Sequence, residues 1–162
     1  MNLRTSFLPL LAALAFASPA QAASVDDVVT LGKLVKQTGT EIVFGRCSDG
    51  EQGHYVFDKA NKVDRLTICE NNVDLEDPDE VWEVMAHEAT HVMQACLGEN
   101  VIKDQYLARM HRELRTQAPH YSKIVATYPS AHQLHEAEAF WMELQTPDVV
   151  MNIFSGTCLN DN

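Results

Sequence analysis

The sequence predicts an α+β domain: a small antiparallel sheet of about three strands, followed by a helix-rich region from residue 77 onward. Three observations carry this. Short β-rich runs lie between Glu41 and Cys69, with turn residues among them. Beyond residue 77, apolar residues recur at helical spacing between capping and breaking residues. The chain has 162 residues, 46% apolar and 22% charged, which is ordinary for one globular domain and excludes disorder, collagen or coiled coil as whole-chain readings.

The N-terminus reads as a targeting segment. Met1-Asn2-Leu3-Arg4 is a short positive start, Phe7 to Ala17 is an apolar run, and Ala20-Gln21-Ala22 offers small residues in an A-x-A arrangement. This is the pattern of a secretory signal peptide, and the run is too short for a permanent membrane span. Residues 1–22 are expected to be removed, leaving residues 23–162 as a single domain with no membrane span. The expected location is periplasmic or secreted, in a bacterial setting. The four cysteines, Cys47, Cys69, Cys96 and Cys158, all lie in that mature part. An even count in an exported chain reads as two disulfides. Of the three connectivities, Cys47–Cys69 with Cys96–Cys158 is favoured, each bridge removing roughly 3–4 kcal/mol of unfolded-state freedom. No C-x-x-C spacing exists, which argues against a cysteine zinc site.

Ser24 precedes a helical pattern of Val25, Val28, Val29, Leu31, Leu34 and Val35, and pairs with Asp27 as a capping box; Gly39 ends it. Glu41–Arg46, His54–Asp58 and Arg65–Cys69 read as the three strands. Asp77-Pro78-Asp79-Glu80 is a strong helix start with capping-box spacing, and Gly98 is its stop. Asn100 is placed to cap a helix from Val101 to about Gln117. Pro119 and Pro129 bracket a short helix near Tyr121–Tyr128. Ser130–Leu144 is the next, and Thr146-Pro147 opens a last short one.

Lys and Arg total 12 against 23 Asp and Glu, a net charge of −11. Such a chain lacks the basic face that phosphate backbones require, so nucleic acid is excluded as partner. Anionic lipid would repel it, and a basic or neutral substrate suits it better.

The chemistry concentrates in His87-Glu88-Ala89-Thr90-His91, inside the helix that begins after Asp77. Two histidines four apart leave a helix on one face, so their nitrogens can share one zinc ion. Glu88 lies about 100° round from His87, where it reaches water beside the metal without being a ligand. Zinc makes such water acidic enough for a carboxylate to deprotonate. The spacing thus supplies two ligands and a general base. Val84, Met85, Val92 and Ala95 flank the motif, as expected of a buried ligand helix.

The pentapeptide resembles the zinc signature of the zincin metallopeptidases. The metzincin branch adds a Gly and a third His shortly afterwards, and Val92 to Leu97 contains neither. The gluzincin branch takes its third ligand from a Glu on a later helix, and His135-Glu136-Ala137-Glu138-Ala139-Phe140 offers two. In gluzincin-like families a small residue commonly stands three places beyond the ligand Glu, letting the helices approach. Glu136 has Ala139 there, whereas Glu138 has Trp141, so Glu136 is preferred. This is similar to the ExxA of compact ImmA/IrrE-like metallopeptidases, although Phe140 stands where those usually carry Asn. His132, one turn earlier, is a weaker ligand candidate. The resemblance also implies that Leu66-Thr67-Ile68-Cys69 lies at a sheet edge and pairs with an extended substrate.

Taken together, the sequence implies an exported zinc-dependent metallohydrolase of zincin-like fold, a peptidase acting on a peptide or protein substrate. His87, His91 and Glu136 would hold Zn2+, with Glu88 as general base. The alternatives are a non-catalytic metal-binding envelope protein, or a disulfide-stapled binding or inhibitory module. Gln94 is placed to hold a ligand ring or line the cleft, and Cys96 points off the metal face. Tyr121, Tyr128, His120, His132 and His135 are the available oxyanion donors, and no spacing selects among them. Arg109, His111, Arg112 and Arg115 form a basic stretch that either faces solvent or meets a substrate carboxylate.

Overall fold

The computed structural model describes residues 22–160; the expected signal peptide lies outside them apart from Ala22. Helix α1, Val25–Gln37, begins at Ser24, whose hydroxyl accepts from the Asp27 amide while Asp27 accepts from the Ser24 amide. Leu31 and Val35 bury its inner face. Strands β1 (Glu41–Gly45), β2 (Gly53–Asp58) and β3 (Val63–Cys69) follow, so the domain is α+β as expected.

The sheet is mixed, not antiparallel. Its order is β1-β3-β2, with β1 parallel and β2 antiparallel to β3. The reason is the segment 46–52, which crosses the end of β3 instead of turning back as a hairpin. Asn71 and Asn72, just past β3, pin that crossing. The Asn71 side chain exchanges bonds with the Cys47 backbone at 2.8 and 3.2 Å, and the Asn72 amide donates to the Ser48 and Glu51 carbonyls at 2.6 and 2.7 Å. Leu66–Cys69 is therefore central, paired on both sides, and cannot be a substrate-pairing edge. The edges are β1 and β2.

Helix α2, Pro78–Leu97, is the centre of the domain: eleven of its twenty residues are buried. Asp77 caps it by accepting from the Asp79 amide at 3.0 Å, without the Glu80 return bond of a capping box. Gly98, at φ 70°, ends it in the left-handed conformation that glycine adopts without strain. Helices α3 (Asp104–Gln117), α4 (Pro119–Val125), α5 (Gln133–Glu143) and α6 (Pro147–Phe154) complete the fold, with a π-helical turn at Ser155–Leu159. Helix α3 starts at Asp104, not at Val101, because the Val101 and Ile102 amides donate to the buried Glu138 carboxylate at 3.0 and 2.8 Å. Asn100 caps nothing, and its Oδ1 is buried without a hydrogen bond.

Helix α2 packs against α1 and the sheet on one side and α5 on the other. Ala86 and Ala89 of α2, with Ala137 and Ala139 of α5, are at most 1% exposed, and such small residues allow close helix approach. Met85, Met93, Met142, Val150 and Phe154 fill the surrounding core, each burial worth roughly 1.5–3 kcal/mol. The disulfides are Cys47–Cys69 and Cys96–Cys158, closing separations of 22 and 62 residues. The first fastens the crossing segment to β3, the second the end of α2 to the Ser155–Leu159 turn. No helix among the described residues is long and apolar enough to cross a membrane.

Candidate metal centre

His87 and His91 leave α2 on one face, and α5 presents Glu136 to both. His87 Nε2 lies 3.5 Å from Glu136 Oε2, and His91 Nε2 lies 3.9 Å from Glu136 Oε1. One ligand atom from each residue falls within 4.8 Å of the others. Donors around a tetrahedral ion with bonds of about 2.0–2.2 Å stand roughly 3.3–3.6 Å apart, so the set fits a metal with little adjustment.

Both imidazoles are oriented from behind. His87 Nδ1 donates to Glu143 Oε1 at 2.6 Å. His91 Nδ1 meets Gln94 Oε1 at 2.8 Å, and the network fixes the orientation of that amide. Gln94 Nε2 has two acceptors, the His135 carbonyl and Glu138 Oε2, each at 3.0 Å, so Oε1 must face the imidazole. His91 Nδ1 therefore carries the proton and Nε2 keeps its lone pair for a metal. The same arrangement separates the two glutamates of α5. Glu138 is fully buried and its carboxylate is occupied by Gln94, Val101 and Ile102. Glu136 alone of the pair faces the histidines. His132 lies exposed beside the start of α5, outside this group.

Glu143 is the residue that the sequence reading passed over. It stands seven residues beyond Glu136, two helical turns on the same face, and that spacing was the available signal. A second group of potential donors, Cys47, Glu51, His54 and Cys69, offers no site because both sulfurs are in a disulfide.

His87 lines a cleft of about 500 Å³, whose lining includes neither His91 nor Glu136. Its floor is Glu83, Val84, His87 and Glu88 of α2; Gly50–Gly53 form one wall, and Tyr121, Ile124 and Tyr128 the other. Glu88 is 5% exposed and makes no hydrogen bond within the described residues. Gly53 is required here: a Cβ at that position would stand 2.7 Å from Val84 Cγ1 and 3.1 Å from Glu88 Cγ. Of the five oxyanion donors, Tyr121 and Tyr128 line the cleft; Arg109, Arg112 and Arg115 do not. Arg109 instead pairs with Glu113 on α3 at 2.7 Å.

Residues 33–159 match the family model of a domain of unknown function, DUF8637. The chain belongs to that family. The match runs from within α1 to the Ser155–Leu159 turn, so the candidate ligands His87, His91 and Glu136, with Glu88, Gln94 and Glu143, all fall inside the DUF8637 domain. No curated protein and no solved structure matches the chain.

The carboxylates of the DUF8637 centre set the protonation of its histidines. Burial opposes a charge on His87, but hydrogen bonds with Glu136 and Glu143 override it and lift the imidazole to about 10. Burial pushes Glu88 up to about 7, with Glu136, Glu143 and Glu51 adding to it against the pull of His87. Burial and the His87 charge hold His91 below its ordinary value. For Glu136, burial is outweighed by the two histidines and Tyr128, which keep its carboxyl low. In the metal-free chain a proton on His87 thus supplies the positive charge that a metal would bring.

Two outcomes follow for pH. A metal must displace that proton, so apparent zinc affinity should rise with pH by about tenfold per unit while His87 stays protonated. Competition with a metal indicator between pH 6 and 9 measures this. The raised His87 also stabilises the metal-free fold fully below 6.5, its ordinary value, and the contribution is lost as pH rises through about 10. Melting of the metal-free chain should fall across that window, and a flat profile would contradict the His87 assignment.

Proposed function

We propose that this DUF8637 domain is an exported zinc-dependent metallohydrolase, a peptidase of zincin type. The observation that carries the reading is the convergence of His87 Nε2, His91 Nε2 and the Glu136 carboxylate beside an open cleft. Among the described residues no fourth His, Cys, Asp or Glu joins that set. Three protein ligands with an open position are the pattern of catalytic zinc, whereas structural sites close all four. Export is supported by the two disulfides and by the signal-peptide pattern of residues 1–22.

Bound zinc would supply Lewis acidity, polarising a carbonyl and making water acidic enough to deprotonate near neutral pH. The rest of the work falls to the chain. Glu88, with a carboxyl near 7, is suited to take a proton and then return it to the leaving nitrogen. Glu143 and Gln94 hold the imidazoles in register. Tyr121 and Tyr128, which both line the cleft, are the donors available to an oxyanion. The outer edge of β2, next to Gly50–Gly53, takes over the peptide-pairing role first assigned to Leu66–Cys69.

Metal analysis of the mature chain followed by a mixed peptide library tests the reading. About one zinc per chain and peptide cleavage are expected. A chain that takes up no metal sinks the proposal. Zinc without cleavage across a broad library favours a metal-binding protein without turnover.

A further inference from the structure

Glu83 stands four residues before His87, so its side chain leaves α2 on the same face, one turn along the cleft floor. Among the described residues it joins no ion pair. No lysine or arginine lines this cleft, while Glu51, Glu83, Glu88 and Glu143 do. Glu88 is a nearly buried carboxyl without a partner, aimed into the same space. Glu143 is committed to His87, Glu51 to His54 and the Ser48 amide, and Glu88 to the reacting centre, which leaves Glu83 as the unpaired carboxylate of the floor. Glu83 is an exposed side chain at the cleft; desolvation by the atoms packed around it, then Glu143, Asp79 and Glu80, raise its pKa, and only His120 pulls the other way.

The surface opposite is apolar. Tyr121 and Phe140 pack with ring centroids 4.7 Å apart, and Ile124 extends the patch with 40% of its surface exposed. A carboxylate across from an aromatic and aliphatic wall matches a side chain with a long apolar stem and a cationic end. The stem covers the rings, where an ammonium or guanidinium also gains from the aromatic face, and the head meets the carboxylate.

We propose that the cleft beside His87 is a specificity subsite for a lysine or arginine side chain of the peptide substrate, with Glu83 as the residue that selects the charge. This rests on the peptidase reading for the substrate's being a peptide, and the test separates the two. Alanine-based hexapeptides blocked at both ends, with a central Lys, Arg, norleucine or Glu, are offered to the zinc-loaded chain. Hydrolysis is followed in the wild type, and binding by calorimetry in zinc-loaded Glu88→Gln, where turnover does not interfere.

Lys and Arg peptides should be preferred over norleucine by about tenfold, and over Glu by more. Glu83→Gln in each background should reduce that ratio to about two, and Glu83→Lys should reverse it in favour of the Glu peptide. Zinc content of the Glu83 variants, measured alongside, shows that the centre is intact. Absence of hydrolysis with the binding preference intact overturns the peptidase reading and leaves the subsite standing. Equal binding of all four peptides, or a preference that Glu83→Lys does not reverse, overturns the subsite. Binding that instead follows a free N-terminal amine in unblocked controls reassigns the cleft to that amine and overturns the side-chain proposal.

Discussion

Glu88→Gln should retain zinc and the fold and lose peptide hydrolysis by about 10²–10⁴-fold, the range for removing a general base. The structure sharpens the reason. Glu88 is enclosed by Val84 and the Gly53 backbone and makes no hydrogen bond within the described residues that the substitution would break. The amide fills the same space and removes only the capacity to take a proton. Because burial holds the carboxyl near 7 in the metal-free chain, Gln also relieves repulsion from Glu136 and Glu143. The variant should therefore melt no lower than the wild type. Loss of zinc together with activity would make Glu88 a ligand or a structural group and remove the mechanism.

Removing a histidine should have the largest effect on the metal. His87→Ala and His91→Ala should each abolish stoichiometric zinc binding, since two remaining protein ligands do not hold the ion at a three-ligand site. Glu136→Gln should weaken binding strongly. Glu143→Gln should cost about 10–100-fold in affinity, the usual effect of losing the group that orients a ligand imidazole. Glu138→Gln should act less than Glu136→Gln, since Glu138 reaches the centre only through Gln94, its other partners being the Val101 and Ile102 amides. Zinc titration of each variant, with circular dichroism to verify folding, gives the order. Full zinc retention by the double histidine variant would remove the site, and the reverse order of the two glutamates would move the ligand role to Glu138.

What could be read in advance was local. The α1 capping box, the Asp77-Pro78 start and Gly98 stop of α2, and the single-face spacing of His87 and His91 are each complete within one or two turns of chain. Glu136 was preferred over Glu138 through the gluzincin resemblance and Ala139 three places on, and it is Glu136 that the fold brings to the two histidines. What escaped depended on distant partners. Strand order turned on two asparagine side chains beyond β3 that draw the 46–52 segment across the sheet. The start of α3 was displaced because its first amides are held by a carboxylate 36 and 37 residues away. Glu143 carried only its seven-residue spacing from Glu136 as a signal, and its partner His87 lies 56 residues away on α2.

The Cys96–Cys158 bridge joins the last turn of α2, which carries His87 and His91, to the end of the described fold, and Glu136 and Glu143 both lie in the 62-residue span between. A single backbone cut anywhere in that span therefore yields two polypeptides that stay covalently joined. One carries His87, Glu88 and His91; for a cut in the α3–α4 region, the other carries the α5 glutamates. Non-reducing electrophoresis would show one band and reducing electrophoresis two. The bridge thus keeps the two halves of the candidate centre together after the chain has been broken.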